Sequence, residues 1–141
     1  MFHYNYWEKA YETTRVLSNK QIAKMVCYRD GFIQPYDFYI AFCVADKKKH
    51  IRAWLNQEEN PLEAQATGKC GSEALLFAYH ALQELEGVLK ADYMTTTRII
   101  VQGADQRRFR LYQKWLMKKI GYKKAFSRER GWYLYKTITS E

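Results

Sequence analysis

The stretch Gln65-Ala66-Thr67-Gly68-Lys69-Cys70-Gly71-Ser72-Glu73-Ala74-Leu75-Leu76 decides how the chain is read. Gly68 and Gly71 let the backbone turn tightly and bring its N–H groups close to a ligand. The helix expected to follow turns the positive end of its dipole, and its first unbonded N–H groups, toward the same spot. Such a place suits a phosphate or pyrophosphate. Lys69 and Ser72 could add a charge and a hydroxyl. A tight loop leading into a core helix would read the same way. The nearest nucleotide-binding patterns fail. A Walker A loop needs Gly where Glu63 stands and Ser or Thr where Cys70 stands, and a G-x-G-x-x-G fingerprint is absent.

Downstream, Leu75, Tyr79, Leu82 and Leu85 recur at helical spacing, which predicts a helix over Glu73–Glu86 with Gly87 as its stop. Arg98–Gln102 reads as a short strand. Asp105 can cap a helix over Gln106–Ile120 that Gly121 ends. At about 100° per residue, Phe109, Tyr112, Leu116 and Ile120 share one side of it, and Arg107, Arg110, Lys114 and Lys118 the other. Tyr122–Ser127 and Trp132–Thr137 read as strands joined by the turn Glu129-Arg130-Gly131.

Upstream, residues 5–26 read as helical, with Ser18 placed to cap a helix over Lys20–Val26. Pro35-Tyr36-Asp37 reads as a break. Phe38–Ala45, aromatic and β-branched, reads as a buried strand. Asp46–Lys49 reads as a polar turn, Ile51–Leu55 as the partner strand of a hairpin, and Asn56–Pro61 as a second break. The first half is thus helices followed by two strands. The whole is expected to be a single mixed α/β or α+β domain over residues 1–141.

With 48% hydrophobic and 16% aromatic residues, the chain of 141 can build a core, which excludes disorder as a description of the whole. The longest apolar run, Phe38–Ala45, is far short of the roughly twenty residues that span a membrane. No basic start and apolar stretch marks a signal peptide at Met1. The expectation is a soluble, cytoplasmic protein without membrane contact. Cys27, Cys43 and Cys70, like His3, His50 and His80, are scattered, so neither a disulfide framework nor a metal site is indicated. The net charge is +8, and it is concentrated. Residues 98–141 hold twelve Lys or Arg against three acids, a net +9, while the first 97 residues carry −1. An anionic partner near that last third is implied: nucleic acid, an acidic protein or a phosphorylated ligand.

The order of these parts resembles the GNAT family of N-acetyltransferases. There, a Gln/Arg-x-x-Gly-x-Gly/Ala loop opens a long helix, and a strand and an Asn-x6-Tyr helix follow. A Gly-Phe or Gly-Tyr pair ends that helix, and a strand pair closes the chain. Here Gln65-Ala66-Thr67-Gly68-Lys69-Cys70 offers the loop, and Asp105 with Tyr112 the Asn-x6-Tyr spacing. Gly121-Tyr122 supplies the end of the helix and Trp132-Tyr133-Leu134-Tyr135 the closing strand. The resemblance covers roughly residues 62–137. Cys70 stands at a Gly/Ala position, Asp105 stands where Asn is usual, and the helix is longer than the family's.

The resemblance implies a central, mostly antiparallel sheet flanked by helices, and direct transfer of an acetyl group from acetyl-CoA to an amine. It implies that Gln65, Thr67, Gly68, Lys69, Cys70, Gly71 and Ser72 hold the CoA pyrophosphate, with Asp105, Arg107 and Arg108 near it. Tyr112 would protonate the departing thiolate, although on an apolar face it could equally serve packing. For the base, Glu63 is the first choice, with Glu58, Glu59 and His50 as further candidates. No His lies near Cys70 in sequence, which speaks against an acyl-enzyme there. The stripe of Arg107, Arg110, Lys114 and Lys118 could be a solvated face, an aid to the CoA phosphates or a dock for an acidic acceptor. Trp115 and neighbouring tyrosines would allow stacking on RNA bases, so a tRNA-linked acceptor stays open beside an acidic protein. No metal is expected, and a homodimer is an open expectation. The alternative is a non-enzymatic module binding nucleic acid or protein on a degenerate GNAT-like fold.

Overall fold

The computed structural model describes residues 1–30, 35–45, 71–102, 110 and 113–139. It is a mixed α+β protein. Seven strands, β1 (His3–Asn5), β2 (Ala10–Val16), β3 (Ile22–Asp30), β4 (Tyr36–Ala45), β5 (Thr97–Val101), β6 (Lys123–Ser127) and β7 (Gly131–Ile138), lie in the order β1-β2-β3-β4-β5-β7-β6. The pairs β1–β2, β5–β7 and β6–β7 are antiparallel, and β4–β5 is parallel. Parallel neighbours need a long crossover, and this one carries the helix α1 (Gly71–Asp92). The basic segment ends in a π-helical turn, Gln113–Met117, and a short α2, Lys118–Ile120. Among the described residues, no helix is long and apolar enough to cross a membrane.

The chain divides into two compact units, Met1–Val26 with Ala41–Leu82, and Cys27–Ile40 with Gln83–Glu141. In the first, residues 5–26 are strands and turns rather than the expected helices. The side chain of Asn5 decides the first turn. Its Oδ1 accepts from the N–H groups of Trp7 and Glu8 at 3.0 and 3.1 Å, and Lys9 adopts a left-handed φ of 55°. A second turn closes with Lys20 N–H on Leu17 O at 2.9 Å, and Lys20 is again left-handed at φ 71°. Ser18 sits in that turn and caps no helix of its own. Ala10, Tyr11, Glu12 and Thr13 are all buried, so β2 lacks the alternation that announces a half-buried strand.

Glu12 is only 5% exposed. Burial pushes its carboxyl up, but hydrogen bonding to Lys24 and Asn5 and the nearby charges outweigh this and hold it below the usual carboxylate range. Lys24 Nζ lies at 2.8 Å, and Asn5 Nδ2 donates at 2.8 Å. A carboxyl whose folded pKa is depressed stabilises the fold above its unfolded value, about 4.3. That contribution is lost as pH falls through the lower folded value. Urea midpoints of the wild type should therefore drop between neutral pH and about pH 3 by more than those of Glu12→Gln. Equal drops would show that Glu12 carries none of the acid sensitivity.

The second half of α1, with Phe38, Ile99 and Leu134, forms the core of the second unit. Leu85 and Leu89 are fully buried there. The helix runs on past Gly87 to Asp92, and Gly87 takes no left-handed angle. The buried stripe also differs from the expected one. In the first half of α1, Ala74, Phe77, Ala78, Ala81 and Leu82 are buried, while Leu75 and Tyr79 are half-buried. Small Ala side chains let a helix approach closely, so the packed face is the Ala-rich one. β4 begins at Tyr36, inside the expected break, and the remaining strand expectations after residue 97 agree within a residue or so. The expected turn Asp46–Lys49, strand Ile51–Leu55 and break Asn56–Pro61 lie outside the described residues.

Candidate functional site

Of the residues singled out for acetyl transfer, Gly71 and Ser72 are the first two residues of α1. Glu63, Gln65, Thr67, Gly68, Lys69, Cys70, Asp105, Arg107, Arg108 and Tyr112 lie outside the described residues, as do Glu58, Glu59 and His50. The helix begins at Gly71, within the expected glycine segment, and at 22 residues it has a full dipole. One acid shares that first turn. Glu73 accepts from the Ser18 N–H at 3.0 Å and from its hydroxyl at 2.6 Å. These bonds spread part of the carboxylate's charge into the neighbouring turn.

Of the two faces expected for the basic segment, Arg107, Phe109 and Tyr112 lie outside the described residues and Ile120 is half-buried. Arg110, Lys114 and Lys118 are exposed, and Leu116 is buried. The π-turn inserts extra length into that segment, a distortion found often beside functional sites. Gly121 then terminates α2 in the left-handed conformation, φ 79° and ψ 23°, and Tyr122 N–H donates back to Leu116 O at 3.2 Å.

Sequence reading missed two groups of side chains. The first is buried. The Tyr122 hydroxyl has no hydrogen-bond partner among the described residues, and burial, with the Glu86 carboxylate adding to it, pushes its pKa well up. Glu86 Oε1 lies 2.7 Å from Lys136 Nζ, an ion pair whose angles are not those of a formed hydrogen bond. Tyr122 ended a predicted helix, and nothing in its spacing marked it as a core hydroxyl.

The second group covers a sheet face. Register sets Asp37, Arg98 and Thr137 in one row and Tyr39, Ile100 and Tyr135 in the next. Arg98 binds Asp37 through two bonds, 2.8 and 2.9 Å, which hold the guanidinium firmly charged. The signal was present as Asp37-x-Tyr39 and Tyr133-x-Tyr135, a period of two that puts both members of each pair on one face. Among the described residues no group of three or more His, Cys, Asp or Glu side chains could hold a metal ion. No protein-family model matches the chain, and neither does any curated protein or solved structure.

Proposed function

We propose that this protein is an acetyl-CoA-dependent N-acetyltransferase of GNAT-like fold. The observation that carries the reading is the order of elements from Gly71 to Ile138. A long helix starts at the glycine loop, a strand follows, a basic helical segment stops at left-handed Gly121, and an antiparallel pair closes the chain. That is the order the resemblance calls for.

The residues suit a pyrophosphate-bearing cosubstrate. Gly71 and Ser72 offer the first amides of α1, and Lys69 and the bases beyond Asp105 add positive charge. In the transfer, the amine nitrogen of the acceptor attacks the thioester carbonyl carbon. As the tetrahedral intermediate collapses, the C–S bond breaks. Glu63 takes the proton from the amine, and Tyr112 gives its proton to the departing thiolate. The acceptor is an amine on an acidic protein or an RNA-linked substrate, in keeping with more bases in residues 98–141 than one CoA requires.

Thermal unfolding with and without acetyl-CoA tests the reading. A ligand that binds only the native state at a hundred times its Kd adds about 2.7 kcal/mol of stability, so the midpoint should rise by several degrees. An unchanged midpoint at millimolar acetyl-CoA would remove the enzyme reading and leave a binding module.

A further inference from the structure

We propose that one face of the sheet in the second unit binds a single strand of nucleic acid, its bases stacking on a row of tyrosines. The face carries Tyr28, Tyr39, Tyr133 and Tyr135, with Arg98 and Arg130 laid among them. It is the face opposite α1. Phe38, Ile99 and Lys136 form one register row across β4, β5 and β7. Lys136 meets Glu86 of α1, and Phe38 meets Tyr93, which directly follows the helix, at 5.1 Å. The alternate row, Tyr39-Ile100-Tyr135, therefore looks the other way.

The rings on this face are ordered. Tyr28 and Tyr39 are stacked, with centroids 5.9 Å apart and planes 22° apart. Arg130 lies over Tyr39 at 4.5 Å and over Tyr133 at 5.7 Å, and Arg98 lies over Tyr135 at 5.8 Å. The turn fixes Arg130 before any ligand arrives. Its N–H donates to Ser127 Oγ at 3.1 Å, its carbonyl accepts from Gln102 Nε2 at 2.9 Å, and Gly131 beside it is left-handed at φ 73°. Tyr28 is 44% exposed, Tyr39 and Tyr135 are half-buried, and Tyr133 and the central Ile100 are buried beneath them.

Aromatic rings that reach the surface side by side, as Tyr28, Tyr39 and Tyr135 do, mark a contact surface. Flat rings suit any base, since every base has a π-face. The charge agrees. Lys123, the register partner of Tyr135, is exposed at the same face, and exposed Arg128 is in the turn before Arg130. Residues 98–141 carry a net +9 to meet the phosphates. A duplex keeps its base faces stacked inside, so the rings favour a single strand. An acidic protein would use the charges and leave the rings idle. Acetyl-CoA plays no part in this surface.

Fluorescence anisotropy of a short labelled oligouridylate at low salt tests the proposal. The wild type should bind it, bind a duplex RNA of the same length about tenfold more weakly, and lose affinity as salt rises. Tyr28→Leu should weaken oligouridylate binding about tenfold, while Tyr28→Phe, which keeps the ring, should bind like the wild type. Tyr28 is exposed, so both variants should unfold at wild-type urea concentrations, which confirms that any loss is local. The proposal falls if the wild type does not bind the oligonucleotide, if Tyr28→Leu binds it unchanged, or if the duplex binds as well as the single strand. It falls equally if polyglutamate of matched charge competes as strongly as the RNA, an outcome that would assign the face to an acidic protein.

Discussion

Phe38→Ala is expected to lower stability by about 3–5 kcal/mol, a large share of the roughly 5–15 kcal/mol that keeps a domain folded. Phe38 is 1% exposed, and its register partner across the parallel pair, Ile99, is fully buried. Its ring meets the edge of Tyr93 at 5.1 Å. Truncation removes the transfer free energy of the ring and leaves a cavity between the sheet and the end of α1, which a close-packed interior fills poorly. Phe126→Ala is the control. Phe126 is 59% exposed on the edge strand β6, so its loss should stay within about 1 kcal/mol. Urea titration of the two variants beside the wild type measures both, and near-equal midpoints would show that Phe38 is not the anchor of the parallel pair.

The second large effect is on turnover. Tyr112→Phe should reduce kcat for acetyl transfer about 100-fold, the lower end of what a positioned acid contributes, while acetyl-CoA affinity stays within about twofold. The hydroxyl would act only as the thiolate leaves, so its removal affects the transition state and not the ground state. Steady-state rates at saturating acetyl-CoA, with a separate binding titration, divide the two. A rate equal to the wild type's would make Tyr112 a packing residue. Binding lost in proportion to rate would make it part of the cosubstrate pocket.

What could be read from the sequence follows from where neighbouring residues suffice. Phe38–Ala45 is apolar on both faces and therefore stands out as a strand, although Tyr39, Ile40, Ala41 and Phe42 are only half-buried. The helix start at Gly71, two residues before the expected one, and the left-handed stop at Gly121 follow from local chemistry. Residues 5–26 misled because four consecutive residues of β2 are buried and the deciding turns use Asn5, Lys9 and Lys20, none of them Gly. A buried Glu12 looks like a surface residue until Lys24 and Asn5 are beside it. In the candidate site, the glycine loop and the Asp105–Tyr112 spacing were legible as patterns, whereas the tyrosine face was not. Its members come from residues 28, 39, 133 and 135, separated by most of the chain.

The sequence by itself determined the mixed class, the long helix after the glycine loop, the closing strand pair and the concentration of positive charge in the last third. These depend on spacing, turn residues and composition, which act over a few positions. Tertiary structure decided the rest: the strand order, the single parallel pair among the registered pairings, the Ala-rich stripe that α1 buries, and the gathering of four tyrosines and two arginines on one face. Strand pairing joins residues far apart in the chain, and which face of a strand meets the core is set by its neighbours and not by its own sequence.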